Sequence, residues 1–215
     1  MPSASIEVSR RGRGLHMSML FTIGHSNHSM ERFVELLRSQ GIMTLIDVRS
    51  SPYSRYSPHF SKDILEKALS NSGIKYLFWG RELGARRSEP DCYVEGRLRY
   101  DRVAQLPVFR EGLSRVLEQA EQEKCTITCA EADPLVCHRT ILICRELMKM
   151  RPELRIVHIL GDGTTESHED AQHRLVKLHK LQRELFGALT TEAALIDRAF
   201  DLQAAKLIAG VPELP

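Results

Sequence analysis

The sequence predicts an α/β fold: a mainly parallel sheet flanked by helices, with a C-terminal helical extension. Three observations carry this. Apolar runs of strand length alternate with helical patterns along the chain. The run Met43 to Val48 is apolar on both faces, as in a buried parallel strand. Strand, helix and strand also follow one another within the length of a βαβ unit.

The elements read in order as follows. Leu20 to Ile23 is a strand, and Gly24 to His28 is a turn. Ser29 is placed to cap a helix over Met30 to Ser39, whose Phe33, Leu36 and Leu37 fall at helical spacing, and Gly41 ends it. Met43 to Val48 is the second strand. Arg49 to Phe60 is a Ser-, Pro- and Tyr-rich loop, followed by a helix over Lys62 to Ser70. Gly73 to Phe78 is a third strand. Arg81 to Tyr100 is a long polar excursion, a length that is usually functional. Phe109 to Glu121 is a helix leading into a strand at Thr126 to Cys129, a tight loop, and a helix through Thr140 to Leu147. Arg155 to Leu160 is a further strand. Helices over Glu166 to Phe186 and Glu192 to Ile208 close the chain. The expected organisation is a leader over 1–19, an α/β domain over 20–163 and a helical extension over 164–215.

At 215 residues the chain suits one domain. No apolar run is long enough for a membrane span, and no apolar signal segment follows the N-terminus. Five cysteines, an odd number, fit a reducing cytoplasm with no disulfide. The leader is Ser-, Arg- and Gly-rich, with Arg10, Arg11 and Arg13 clustered. It reads as a disordered basic tail or a misassigned start. A pI near 8.3 permits contact with nucleic acid without indicating it.

Polar residues gather at three strand ends. The first supplies Gly24, His25 and Ser26. The second supplies Asp47, Arg49, Ser50 and Ser51. The strand ending at Cys129 supplies Cys129, Glu131, Cys137, His138 and Arg139. In a parallel sheet these ends share one edge, where ligands bind in open α/β folds.

These residues resemble a known family. Gly24-His25-Ser26, the run Leu45 to Arg49 with Pro52, Ser54, Arg55 and Phe60 downstream, and Cys129-Ala130-Glu131 with Asp133-Pro134 and Cys137-His138-Arg139 are similar to the domain of unknown function 488 family. The resemblance spans Thr22 to Gly163. It departs from the family at Ala85, where a second glycine is expected after Gly84. It implies a compact cytosolic α/β protein of bacterial or archaeal type, loosely associated with DNA repair.

Cys137, at a helix start beside His138 and Arg139, is the leading nucleophile candidate, since such surroundings lower a thiol pKa. A buried structural cysteine is the alternative. Cys129 is either a second reactive thiol or a small core residue. Cys144 belongs to the core, and Cys92 and Cys125 are incidental. Glu131 and His138 suit acid/base work, and Asp47 is a base or an orienting group. Arg49, Arg55 and Arg139 suit the holding of an anion, or internal ion pairs with Asp47 or Glu131. Gly24, His25 and Ser26 complete the ligand-binding set. Tyr53 and Tyr56, interleaved with Arg49, Arg55 and His59, are placed to stack a base.

The run Leu45 to Arg49 is similar to the opening strand of rhodanese-type sulfurtransferases. Arg139, however, lies ten residues after Cys129 and two after Cys137, which matches neither a sulfurtransferase nor a thiol-phosphatase loop. Cys129, Cys137 and His138, with His25 as a fourth, are ligand types for a metal. The Cys-x-x-Cys pairs of strong zinc sites are absent, so no metal is expected. There is no nicotinamide fingerprint or P-loop, so no cofactor is expected. The reading is an enzyme that hydrolyses or transfers a group on a phosphate-bearing small molecule or nucleic acid. Thiol-based sulfur or phosphoryl transfer, and a non-catalytic nucleotide- or nucleic-acid-binding module, are the alternatives.

Overall fold

A computed structural model describes residues 18–182 and 191–210. The basic leader up to Met17, and positions 183–186 of the expected helix ending at Phe186, lie outside the described residues.

Five strands run parallel: β1 (Met19–Gly24), β2 (Thr44–Asp47), β3 (Lys75–Phe78), β6 (Cys125–Cys129) and β7 (Arg155–Ile159). A short antiparallel strand, β8 (Thr165–Ser167), pairs with β7. The sheet order is β3-β2-β6-β1-β7-β8. Between β3 and β6 a separate two-residue hairpin, β4 (Tyr93–Val94) and β5 (Arg97–Leu98), stands apart from this sheet.

Connection geometry explains the two faces. Right-handed crossovers from β1 to β2 and from β2 to β3 step one way, so α1 (Met30–Ser39) and α2 (Lys62–Ser70) share a face. The steps from β3 to β6 and from β6 to β7 run back the other way. They put α5 (Pro107–Gln122) and the helical segment after Arg139 on the opposite face. Two apolar clusters follow. Phe33, Leu36, Leu37, Leu65 and Leu69 pack with Phe21, Ile23 and Leu45 on one side. Phe109, Leu113, Val116, Ile141, Leu147 and Phe200 pack with Ile46 and Ile127 on the other. Strand β6 thus sits between two strands whose following helices lie across the sheet from its own. That makes its carboxyl end a topological switch point, where an open α/β sheet leaves a crevice.

Local sequence sets the element ends. Ser29 accepts from the Arg32 amide and caps α1. Gly41, at φ +67°, turns the chain out of it. The observed α1 and α2 have the expected bounds.

Elsewhere the fold differs from the sequence reading. The excursion holds two short helices, α3 (Gly80–Leu83) and α4 (Tyr100–Val103), besides the hairpin. The helix after Cys137 starts as a π-helix over Arg139–Cys144 and becomes α only at α6 (Arg145–Met150). Residues 165–167 form β8, so α7 (His168–Leu178) starts later than expected, capped by Ser167. The last helix, α8 (Glu192–Ile208), has the expected bounds and packs on α7.

Candidate active site

The three strand ends are stitched together by their backbones. The His25 and Ser26 amides donate to the Cys129 and Ala130 carbonyls at 2.9 and 2.8 Å. The Val48 amide donates to the Thr128 carbonyl at 3.2 Å. Gly24 lets the β6 loop come this close, because a Cβ there would collide with the Glu131 carbonyl. Above the junction lies a cleft of about 310 Å³, lined by His25, Arg49, Cys129, Glu131, His138 and Arg86 among others.

Asp47 is fully buried behind the wall of this cleft. It accepts a forked pair of bonds from Arg49, Nε at 2.9 Å and Nη2 at 2.6 Å, and a third from the Tyr76 hydroxyl at 2.8 Å. Its oxygens are spent on these partners, so Asp47 orients Arg49 and is no free base. The remaining Arg49 nitrogen, Nη1, donates to His25 Nε2 at 3.2 Å. His25 Nδ1–H donates to the Ser26 carbonyl at 3.0 Å. Burial, with the Arg49 charge, lowers His25 to about 4 and keeps the ring neutral. Phe60 stacks on it at 4.4 Å between ring centroids.

On the opposite wall His138 donates from Nε2 to the Val48 carbonyl at 3.2 Å. This aims Nδ1 at two sulfurs, Cys129 Sγ at 3.5 Å and Cys137 Sγ at 3.9 Å. The thiols are polarised in opposite directions. Burial pushes Cys137 up, but the Cys129 thiol, the Arg139 charge and His138 outweigh it and draw Cys137 well below the usual thiol range. Cys129 is held well above that range, first by its bond to Cys137 and then by burial. The lowered pKa and the cleft-facing position therefore fall on different sulfurs. Cys129 lines the cleft, whereas Cys137 is 1% exposed and lies behind it. Glu131 stands at the rim, its pKa raised by desolvation and by the charge on Cys137.

The expected roles of four residues need correction. Arg139 is no anion ligand: it is fully buried, and its guanidinium donates to the Glu131 and Ala132 carbonyls at 2.6 and 3.0 Å. The amides of that first helical turn are also spent. Arg139 N–H points at Cys137 Sγ, and those of Thr140 and Ile141 at the Cys137 carbonyl. Arg55 is exposed and lies outside the cleft lining, and so does Ser26, which bonds Asn27 instead. Cys137 has the lowered pKa of a nucleophile but is buried and outside the cleft lining.

Sequence reasoning also missed Arg86. The excursion brings it to the cleft through Arg87, whose Nη1 donates to the Arg81 and Glu82 carbonyls while Nη2 pairs with Glu89. The Arg86 amide then donates to Ser50 Oγ at 2.9 Å. The pair Arg86-Arg87 just after Gly84 was the available signal. Ala85, in place of the expected glycine, lines the same cleft.

Comparison with protein families matches residues 29–145, more than half of the chain, to the family described as Domain of unknown function DUF488. The chain belongs to this family. The DUF488 region starts at the cap of α1 and ends at the first residue of α6, so it holds β2, β6 and the whole Cys129 to Arg139 loop. His25 lies just before it. No curated protein and no solved structure matches the chain. Among the described residues no helix is long and apolar enough to cross a membrane, and the five cysteines are free and buried.

Proposed function

We propose that this DUF488 protein is an enzyme that hydrolyses, or transfers a group from, a small phosphate-bearing ligand of about nucleotide size. One observation carries the reading: Glu131, Arg49 and Arg86 meet on a single cleft at the switch-point end of β6, beside His138 and Cys129. The volume suits a small molecule. A nucleic-acid duplex would need an extended basic surface, and the net charge of +2 does not favour one.

Arg86 is the anion-binding group in this account, because Arg49 is neutralised by Asp47. Ser51 adds a hydroxyl, and Tyr53, 57% exposed on the same cleft, offers a face for a base. Glu131 supplies acid/base chemistry, its raised pKa holding it nearer to neutral pH. Attack by water agrees with the site better than attack by sulfur, since both thiols are buried, Cys129 at 5% and Cys137 at 1% exposed.

The test is a turnover assay over nucleoside phosphates and sugar phosphates, with wild type and Glu131→Gln. The reading expects one class to turn over, and Glu131→Gln to slow it about 10²-fold or more with binding kept. Binding without turnover in the wild type would identify a binding module instead.

A further inference from the structure

We propose that Cys129, Cys137 and His138 form a zinc site on the floor of the cleft. Their ligand atoms, two Sγ and one imidazole nitrogen, all lie within 4.8 Å of one another. The fold creates this grouping: Cys129 ends β6, while Cys137 and His138 open the next helical segment. That is why no Cys-x-x-Cys spacing announces it.

The two sulfur–nitrogen distances suit the ion. Tetrahedral zinc with Zn–S of about 2.3 Å and Zn–N of about 2.0 Å puts a bound sulfur and nitrogen about 3.6 Å apart. The observed separations from His138 Nδ1 are 3.5 Å to Cys129 Sγ and 3.9 Å to Cys137 Sγ. His138 is also oriented as a ligand is. Its far nitrogen donates to the Val48 carbonyl, the outer-shell bond that fixes tautomer and ring angle in metal-binding histidines. Two sulfurs and an imidazole select zinc over magnesium or calcium, which take oxygen.

Three protein ligands leave one position open, the pattern of catalytic rather than structural zinc. Cys129 and His138 line the cleft, so that position faces it. His25 is no fourth ligand, because both its nitrogens are engaged, by Arg49 and by the Ser26 carbonyl. Glu131 lines the same cleft.

The site deepens the hydrolytic reading above and, for its chemistry, rests on it. Zinc lowers the pKa of a bound water. The water's proton passes to Glu131, and the oxygen bonds to the electrophilic atom of the ligand. The bond to the leaving group breaks with its electron pair, and Glu131 returns the proton to that group.

The full-length protein, purified from zinc-supplemented cells with reductant present, is analysed for metal. About one zinc per chain is expected. It should be lost in Cys129→Ala and in His138→Ala, and kept in Cys144→Ala, whose sulfur lies outside the trio. Because a ligand variant can fail to fold, the wild type is also stripped and titrated with cobalt(II). A thiolate-to-cobalt charge-transfer band with tetrahedral d–d absorption is expected. Wild-type protein without zinc, zinc retained in folded Cys129→Ala, or cobalt binding without a thiolate band would each overturn the proposal. Protection of zinc-free protein by phosphate ligands, dependent on Arg86, would leave the cleft reading standing. Zinc without such protection would do the reverse.

Discussion

Arg139 clamps Glu131 from below. The guanidinium of Arg139, fully buried, donates from Nη1 to the Glu131 carbonyl at 2.6 Å and from Nη2 to the Ala132 carbonyl at 3.0 Å. It thereby ties the loop after β6 to the start of the following helical segment. One side chain thereby satisfies two loop carbonyls.

Arg139→Ala should therefore destabilise the fold by about 2–4 kcal/mol, from lost packing and unpaired carbonyls. Arg139→Lys should recover little, since an ammonium cannot reproduce the fork. Urea unfolding of the three proteins checks this. A stable Arg139→Ala protein would mean that the loop holds itself.

The Asp47–Arg49 pair predicts a second, separable effect. Removing the carboxylate leaves Arg49 buried and unpaired, and leaves the Tyr76 hydroxyl without its acceptor. Asp47→Ala should cost about 3–5 kcal/mol. A double-mutant cycle with Arg49→Met should show strong coupling, the double variant losing less than the sum of the singles.

Acid should weaken the protein in a defined window. His25 and His168 are each lowered from 6.5 to about 4, both chiefly by burial. His158, buried between Thr22 and His168, is lowered well below its ordinary value by burial and then by the His168 charge. Between about pH 6.5 and 4 the unfolded chain binds protons that the folded chain refuses. The stability from neutral histidines is complete above that window and is lost as pH falls through it. His25 and His168 should contribute about 3 kcal/mol each to the loss. Urea midpoints across this range check it, and His168→Gln should flatten the slope. An unchanged slope would show that His168 does not titrate on unfolding.

Much of the sheet was readable because burial on both faces leaves short runs rich in apolar and β-branched residues, as in β1 and β2. The cap made the start of α1 readable to the residue, Ser29 accepting an amide of the first turn, and Thr191 caps α8 in the same way. β8 is three residues long and polar, too short for any periodicity to register. The hairpin turns at Glu95-Gly96, both at positive φ, 52° and 75°, between strands of two residues each, too short for an alternating pattern. The π-helix differs from an α-helix in backbone hydrogen bonding and winding, for which Arg139 to Cys144 has no side-chain signature.

For the site, sequence position identified which residues meet but not which way they point. His25, Arg49, Cys129, Glu131 and His138 line the cleft, whereas Arg139 turns inward because nearby carbonyls need its donors. The anion-binding side chain on the cleft is then Arg86, delivered from a segment whose internal bonding, through Arg87 and Glu89, no periodicity reveals.

The central claim, that this cleft takes a phosphate-bearing ligand, is tested most directly by thermal unfolding with inorganic phosphate and with nucleoside monophosphates. A ligand that binds only the folded state raises stability by mass action, by about 2.7 kcal/mol at a hundredfold excess over its Kd. The account predicts a concentration-dependent rise in Tm for the wild type that is lost in Arg86→Ala, a change confined to an exposed side chain. A wild type that gains nothing from any of these ligands, or an Arg86→Ala protein that gains as much, would contradict it.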